Sequence, residues 1–281
     1  MFEDFNEVVC LGQGGSYSEM AKDKLFKAYD LYLYQRSLNG IKDCIEYVDE
    51  NCNAIAIIPV ETSYKGIIRE TVDNLIMTKN QNIQILAETT IPVNDCILSK
   101  TTEFYSIMGL ISNPNALAKC KTFIKDEMPR QLNVVVAENM DESARLLNNY
   151  NITYSIIGTP KTAEIYNLNV LREHIEDAKN NNRRFIVIGD AETEPTGKDK
   201  TSIVLFLEDR AGVLMDIVKV FVKYHVNITQ INSKMMNNNS DEQAVFIDFD
   251  GHKKDELIKN LLSELEPLSK SVRVIGSYTT F

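Results

Sequence analysis

The chain has few cysteines and histidines for its 281 residues, and neither type is spaced for chemistry. Cys10, Cys44, Cys52, Cys96 and Cys120 are odd in number and widely spread, with no C-x-x-C pair. That argues against a disulfide framework and against a zinc site. His174, His225 and His252 are not paired at ligand spacing, so a metal enzyme is disfavoured; no metal and no cofactor are expected. No apolar run approaches the roughly 20 residues of a membrane span. The longest, such as residues 54–60, are strand-length. Residues 1–7 have neither a basic segment nor a long apolar one, so no signal peptide is expected. Basic residues are also in deficit: 30 Lys and Arg against 40 Asp and Glu, a net charge of −10. A general nucleic-acid binder needs a basic face, and that balance argues against one. A small anionic ligand is not excluded, because a pocket can be locally basic on an acidic protein. A reduced, cytoplasmic protein is expected, with no nucleic-acid or membrane partner.

What is present is the 44% hydrophobic and 25% charged balance of a globular protein. At about 150 residues per domain the chain makes one large domain or two ordinary ones. Residues 190–200, Asp-Ala-Glu-Thr-Glu-Pro-Thr-Gly-Lys-Asp-Lys, carry six charges and no large apolar residue. Their composition is that of a linker. The expected division is 1–190, a linker at 191–200, and 201–281.

The first part alternates strands and helices. Strands are expected at 7–11, 54–58, 109–112, 133–137 and 155–158, with an extended stretch over 82–97. Ser16 and Glu19 have capping-box spacing and start a helix, with Met20, Ala21, Leu25 and Phe26 inward. Further helices are expected from Gly66, Asn115 and Asp141 and after Pro160. This alternation makes an α/β fold, read here as two lobes with crossovers near 89–98 and 184–188. The cleft between such lobes suits a small ligand. The last 80 residues read βαββαβ, the ferredoxin-like pattern.

Three segments carry candidate chemistry. Leu11-Gly-Gln-Gly-Gly-Ser-Tyr-Ser is a glycine-rich strand-to-helix turn whose amides and Ser16 hydroxyl suit an anion at a helix N-terminus. It lacks both the Rossmann spacing and the lysine of a phosphate loop; a tight turn plus a cap accounts for it equally. Pro59-Val-Glu-Thr-Ser-Tyr-Lys-Gly places Thr62, Ser63 and Lys65 beyond the end of a buried strand, where α/β sheets collect ligands; ordinary capping is the alternative. Asn180-Asn-Asn-Arg-Arg-Phe offers two guanidinium groups to a carboxylate; a solvated basic turn is the alternative, and for a charge pair the commoner one. Side chains alternate on entering a strand, so Arg183 and Arg184 are not expected to point into one site.

The order of these segments resembles the prephenate dehydratase family with a C-terminal ACT domain, over nearly the whole chain. The opening turn resembles LGPxGTYS, and Ile58-Pro-Val-Glu-Thr-Ser-Tyr-Lys-Gly resembles PIENSxxG. Ser112-Asn-Pro-Asn-Ala-Leu-Ala-Lys-Cys resembles SHPQALxQC, Ala163-Glu-Ile-Tyr-Asn-Leu resembles AAxxYGL, and Asn181-Asn-Arg-Arg-Phe-Ile-Val-Ile resembles NxTRFxVI. In the tail, Arg210-Ala-Gly-Val-Leu resembles the ACT glycine-leucine turn, and residues 228–234 resemble the ESRP region. The resemblance implies a periplasmic-binding-protein-like pair of lobes followed by an amino-acid-sensing domain. It implies prephenate as substrate, an effector such as phenylalanine, and a homodimer or homotetramer.

Several polar positions depart from the family pattern. Arg183 stands where the TRF threonine protonates the departing hydroxyl of prephenate. A guanidinium is permanently charged and a poor proton donor. Thr62 replaces an asparagine, Asn113 and Asn115 replace a histidine and a glutamine, Asn139-Met140 replaces a serine-threonine pair, and Asn232 replaces a glutamate. Loss of CO2 with the hydroxyl gives aromatic phenylpyruvate; loss of CO2 alone gives a dihydro product. Loss of the threonine predicts the second outcome, a non-aromatising prephenate decarboxylase. Ordinary dehydration and a non-catalytic amino-acid sensor are the alternatives. On this reading Ser16, Gly14 and Gly15 hold one carboxylate and Arg184 the other, Thr62 and Ser63 position the substrate, Arg183 adds charge or shapes the cleft, and Asn113 and Phe185 complete the site; under ordinary dehydration Ser16, Ser63 or a water replaces the lost acid. Effector contacts would fall at Ala211, Gly212, Val213, Leu214, Asn232 and Ser233, unless the tail serves only to dimerise.

Overall fold

The computed structural model describes residues 2–78, 80, 82–208, 210–235 and 242–280. Strand β1 (Glu7–Leu11) leads into helix α1 (Tyr17–Tyr29). Ser16 caps α1 by accepting from the Glu19 amide at 3.2 Å. Glu19 reaches back to the amide of Gly15 rather than Ser16, at 2.6 Å, one residue short of a full capping box. Ala21 and Leu25 are buried, together with Tyr17 and Ser18, while Met20 and Phe26 are only partly covered.

Strand β2 (Tyr34–Leu38) and helix α2 (Ile41–Glu50) come next, followed by β3 (Ala54–Thr62), β4 (Gly66–Ile67), α3 (Arg69–Met77) and β5 (Ile83–Pro92). The helix expected from Gly66 starts later, because Gly66 and Ile67 first fold back onto β3. The chain then builds β6 (Cys96–Ser99), β7 (Gly109–Ser112), α4 (Pro114–Lys119), α5 (Lys121–Glu127), β8 (Asn133–Val136), α6 (Met140–Leu146), β9 (Tyr154–Gly158), α7 (Pro160–Tyr166) and β10 (Asn169–Arg172). It returns with β11 (Asn182–Asp190), between β5 and β3. The remaining elements are β12 (Asp199–Glu208), α8 (Val213–Lys223), β13 (Ile228–Met235), β14 (Glu242–Asp250), α9 (Glu256–Leu265) and β15 (Ser271–Thr280).

Two sheets result, one for each lobe. The first runs β13-β14-β12-β15-β5-β11-β3-β1-β2, with β4 on β3; the second runs β10-β6-β9-β7-β8. The chain passes between them twice, at 93–95 and 173–181. The first crossover lies where the sequence places it. The second comes earlier, since Arg184–Ile188 is already inside β11, a strand of the first lobe. His174, in this crossover, has φ 54° and is exposed.

The C-terminal βαββαβ unit is antiparallel throughout. Side chains alternate along β12. Ile203, Leu205 and Leu207 pack on Ile217, Phe221 and Leu261 of its two helices. Val204 faces the other way and joins Ile275 and Tyr278 in the core of the first lobe. Strand β15 then pairs in parallel with β5 through Thr279 and Thr280. The C-terminal unit therefore continues the sheet of the first lobe. Residues 191–198 carry no large apolar side chain and form no helix or strand, yet they are tied down. Thr193 is buried against His252 and the Ser277 carbonyl, and Glu192 and Glu194 pair with Lys254.

Candidate active site

Strand β11 divides its side chains between two environments. Arg183 lies opposite Thr62 of β3, and Arg184 opposite Glu61. Cross-strand neighbours share a face, so the two arginines part company. Arg183 enters the cleft between the lobes, its guanidinium carbon 4.4 Å from the centroid of the Tyr17 ring. Its buried Nε has no hydrogen-bond partner among the described residues.

Arg184 points to the opposite face and binds no substrate there. Its Nε donates to Glu88 at 2.6 Å, Nη2 to Asp248 at 2.6 Å and to Tyr278 at 3.1 Å, and Nη1 to Gln230 at 2.9 Å and Glu61 at 3.3 Å. The assignment of Arg184 to a substrate carboxylate is therefore corrected: this guanidinium is fully used in joining the first lobe to the C-terminal unit. Phe185 returns to the face of Arg183 but is 1% exposed, in the core cluster that holds Tyr17. It is a packing residue, not a ligand contact.

The cleft consists of two adjoining hollows of about 190 and 270 Å³. Gly12, Gln13, Gly14, Ser16 and Asn113 line the first; Thr62, Lys65, Glu176 and Asn181 line the second. Asp95, Asn115, Lys119 and Arg183 line both and mark their junction.

The glycine-rich turn serves two purposes. Gly12 and Gly14 border the hollow. Gly15 does not: its amide is taken by Glu19, and its carbonyl accepts from Thr159 Oγ1 of the second lobe at 2.7 Å. With φ +84°, a Cβ at Gly15 would lie 2.4 Å from Thr162 Oγ1. Gly15 thus lets the lobes approach and is not a carboxylate binder. Ser16 Oγ accepts from the cap amide, which leaves its O–H free to donate.

Thr62 borders the second hollow, its Oγ1 accepting from the Lys65 amide at 3.1 Å in a hairpin turn. Ser63 is exposed and does not line either hollow; its Oγ accepts from the Asn182 amide at 3.2 Å and pins that turn to β11. Ser63 positions the strand that carries Arg183, not the substrate. Asn113 caps α4 through Oδ1 to the Ala116 amide at 3.0 Å, leaving its amide group for the cleft.

Tyr17, Asp95 and Lys119 are among the cleft residues that escape the sequence reading. Tyr17 donates its phenol to Asp95 Oδ1 at 2.9 Å and accepts from the Asn94 amide. Burial, and next the Asp95 charge, push that phenol far above its usual value, so it stays protonated. Asp95 Oδ2 is buried without a hydrogen-bond partner among the described residues. Lys119 ends α4 at the junction. Burial, then the charge of Arg183, bring its ammonium down to about 8.

In the C-terminal unit, Ala211 and Gly212 form an exposed turn, with Gly212 at φ +86°. Val213 is buried in the core, Leu214 is exposed, and Asn232 and Ser233 lie on the outer strand β13.

The family model for prephenate dehydratase matches residues 8–193, the two lobes and the first residues after β11. A prephenate dehydratase of Methanocaldococcus jannaschii is 33% identical over 279 residues, covering 95% of this chain and 96% of that one. The bifunctional chorismate mutase/prephenate dehydratase of Aquifex aeolicus is 28% identical, covering 97% of this chain and 73% of its own. Among solved structures, the prephenate dehydratase of Arthrobacter aurescens in complex with L-Phe superposes with a TM-score of 0.83 at 28% identity, over 97% of this chain and 89% of that one. Two lobes flanking a polar cleft, matched by that family model and aligned almost end to end with the methanogen enzyme, place this chain in the prephenate dehydratase family of lyases.

Proposed function

We propose that this protein converts prephenate to phenylpyruvate, CO2 and water in the interlobe cleft. One observation carries the substrate assignment. The Arg183 guanidinium, with an unpartnered Nε, borders the cavity beside the Lys119 ammonium and matches one carboxylate of a dicarboxylate substrate. The Ser16 hydroxyl and the Gly12–Gly14 turn offer hydrogen bonds to the second carboxylate.

The sequence expectation of hydroxyl-retaining decarboxylation rested on the missing threonine. Relatives bearing the dehydratase name weigh against it. The cleft also offers O–H and N–H donors, at Ser16 and Lys119, in the threonine's stead. Both considerations favour loss of the hydroxyl with CO2. Incubation of purified protein with prephenate, followed by mass and ultraviolet analysis, tests the reading. Aromatic phenylpyruvate is expected. A decarboxylated product still bearing its hydroxyl would restore the decarboxylase reading, and binding without turnover would favour a sensor.

On the same reading, residues 1–190 are catalytic, 191–200 connect, and 201–281 act as an ACT-type regulatory domain answering to an amino acid such as phenylalanine. The L-Phe complex of the Arthrobacter aurescens dehydratase supports that effector class. The assembly is a homodimer or homotetramer. Leu214, Val218 and Val222 form an exposed apolar stripe at i, i+4, i+8 on α8, and Ile231 and Met235 lie exposed on β13. A second copy of the chain would cover them.

A further inference from the structure

We propose that Lys119 is the proton donor to the departing hydroxyl, in place of the threonine that Arg183 has displaced. The proposal rests on the dehydration reading above.

Position comes first. Lys119 is the last residue of α4 and borders both hollows beside Arg183, so it faces whatever lies across their junction. Its carbonyl accepts from the Asp177 amide at 2.8 Å, which ties the end of α4 to the second crossover. Its ammonium makes no hydrogen bond or ion pair among the described residues, and all three protons are available to a ligand. Sequence adds a second observation. Within the segment that resembles SHPQALxQC, Lys119 stands at the second glutamine. The cleft thus departs from the family pattern at two adjoining positions: a hydroxyl donor is replaced by arginine, and an uncharged amide by an ammonium.

The other donors are less suited. A guanidinium does not give up its proton, and the Tyr17 phenol is committed to Asp95. Ser16 borders only the first hollow. An acid works best when its pKa lies near the working pH. Burial lowers that value most; of the groups around Lys119, Arg183 from β11 and Lys65 from the β3–β4 turn lower it further, while Asp95 from the first crossover and Cys120 beside it raise it. Glu176 and Asp177 of the second crossover border the same hollow.

The step balances. The bond between the ring and its carboxylate breaks and releases CO2. Its electron pair moves through the ring and expels the hydroxyl from the opposite carbon. The hydroxyl oxygen takes a proton from Lys119 Nζ and leaves as water. Phenylpyruvate remains, and neutral Lys119 regains its proton from solvent.

The test compares wild type, Lys119→Gln, Lys119→Arg and the double variant Lys119→Gln with Arg183→Thr. A general acid contributes about 10²–10⁴ in rate, so kcat should fall about 100-fold or more in both single variants. Lys119→Arg should keep KM near that of wild type, because the positive charge remains. The double variant, which returns both positions to the family pattern, should recover kcat to within about tenfold of wild type. In wild type, kcat/KM should decline as pH rises through about 8, and the double variant should lose that decline. The pH profile needs no substitution, so misfolding of a variant cannot obscure it. Phenylpyruvate formation by wild type with kcat retained in Lys119→Arg would overturn the role of Lys119 alone. A wild-type product that keeps its hydroxyl would overturn the dehydration reading, and this proposal with it.

Discussion

Replacing Arg184 with leucine should destabilise the protein by about 3–5 kcal/mol, the cost of removing one partner from a buried ion pair. The structure says where that cost arises. Asp248 is 0% exposed, and one of its oxygens accepts from Arg184 while the other accepts from Ser202 at 2.5 Å. Without the guanidinium, Asp248 Oδ2 loses its ion pair, and among cations only the weaker influence of Lys200 offsets its burial. Glu88 suffers less because Lys200 still holds its other oxygen at 2.5 Å. With a urea slope of about 2–3 kcal/mol per M, the midpoint should move down by about 1–2 M. The deficit should also depend on pH. Burial already pushes the Asp248 carboxyl above its usual value, while Arg184 and Ser202 pull it down. Removing Arg184 raises it further, so the folded state binds a proton that the unfolded chain releases. Stability from that proton is full at low pH and is lost as pH rises through the raised value. Urea titrations of wild type and variant at pH 5 and pH 8 should therefore show the smaller difference at pH 5. A difference under about 1 kcal/mol, equal at both pH values, would refute a buried ionic joint between the units.

Other outcomes follow from single features. Gly15→Ala should lower the melting temperature and weaken prephenate binding, because the new Cβ meets Thr162 at 2.4 Å and φ +84° adds about 1–2 kcal/mol of strain; an unchanged melting curve would contradict the interlobe contact. Only Cys52 should react quickly with a thiol reagent in the native protein, since the other four cysteines are buried. Burial pushes the Cys10, Cys44 and Cys96 thiols up to about 12, so a second fast thiol would count against the packing described. A chain cut after Asp190 should aggregate or lose its cooperative melt. Val204, Phe246, Ile275 and Tyr278 pack in the core of the first lobe, and their loss exposes it; a soluble, fully active fragment would contradict that shared core.

Much of the fold is legible in the residues, and the failures have physical causes. Strands such as Gly109–Ser112 and Ala54–Ile58 announce themselves by apolar runs because both faces are covered. Strand β2 does not: Tyr-Gln-Arg-Ser-Leu is an outer strand that buries no side chain fully. Helix α2 carries a readable stripe at Ile41, Cys44, Ile45 and Val48, spaced for one face. The 191–200 stretch looks solvated by composition, yet Thr193 is buried through contacts with residues 59 and 84 positions away. At the site, strand alternation anticipates that only one of Arg183 and Arg184 reaches the cleft, but periodicity cannot say which. Assigning Arg184 to a substrate carboxylate fails because Glu61, Glu88 and Asp248, remote in sequence, gather on its face. Asp95 and Lys119 are lone charges with no local spacing signal. The sole sequence sign for Lys119 is the lysine standing at a glutamine of the SHPQALxQC pattern.

The most direct test of the central claim is the stoichiometry of products from prephenate carrying an oxygen-18 label in its ring hydroxyl. The account predicts equal amounts of phenylpyruvate and CO2, with the label released into water. CO2 accompanied by a keto acid that retains the label would contradict it.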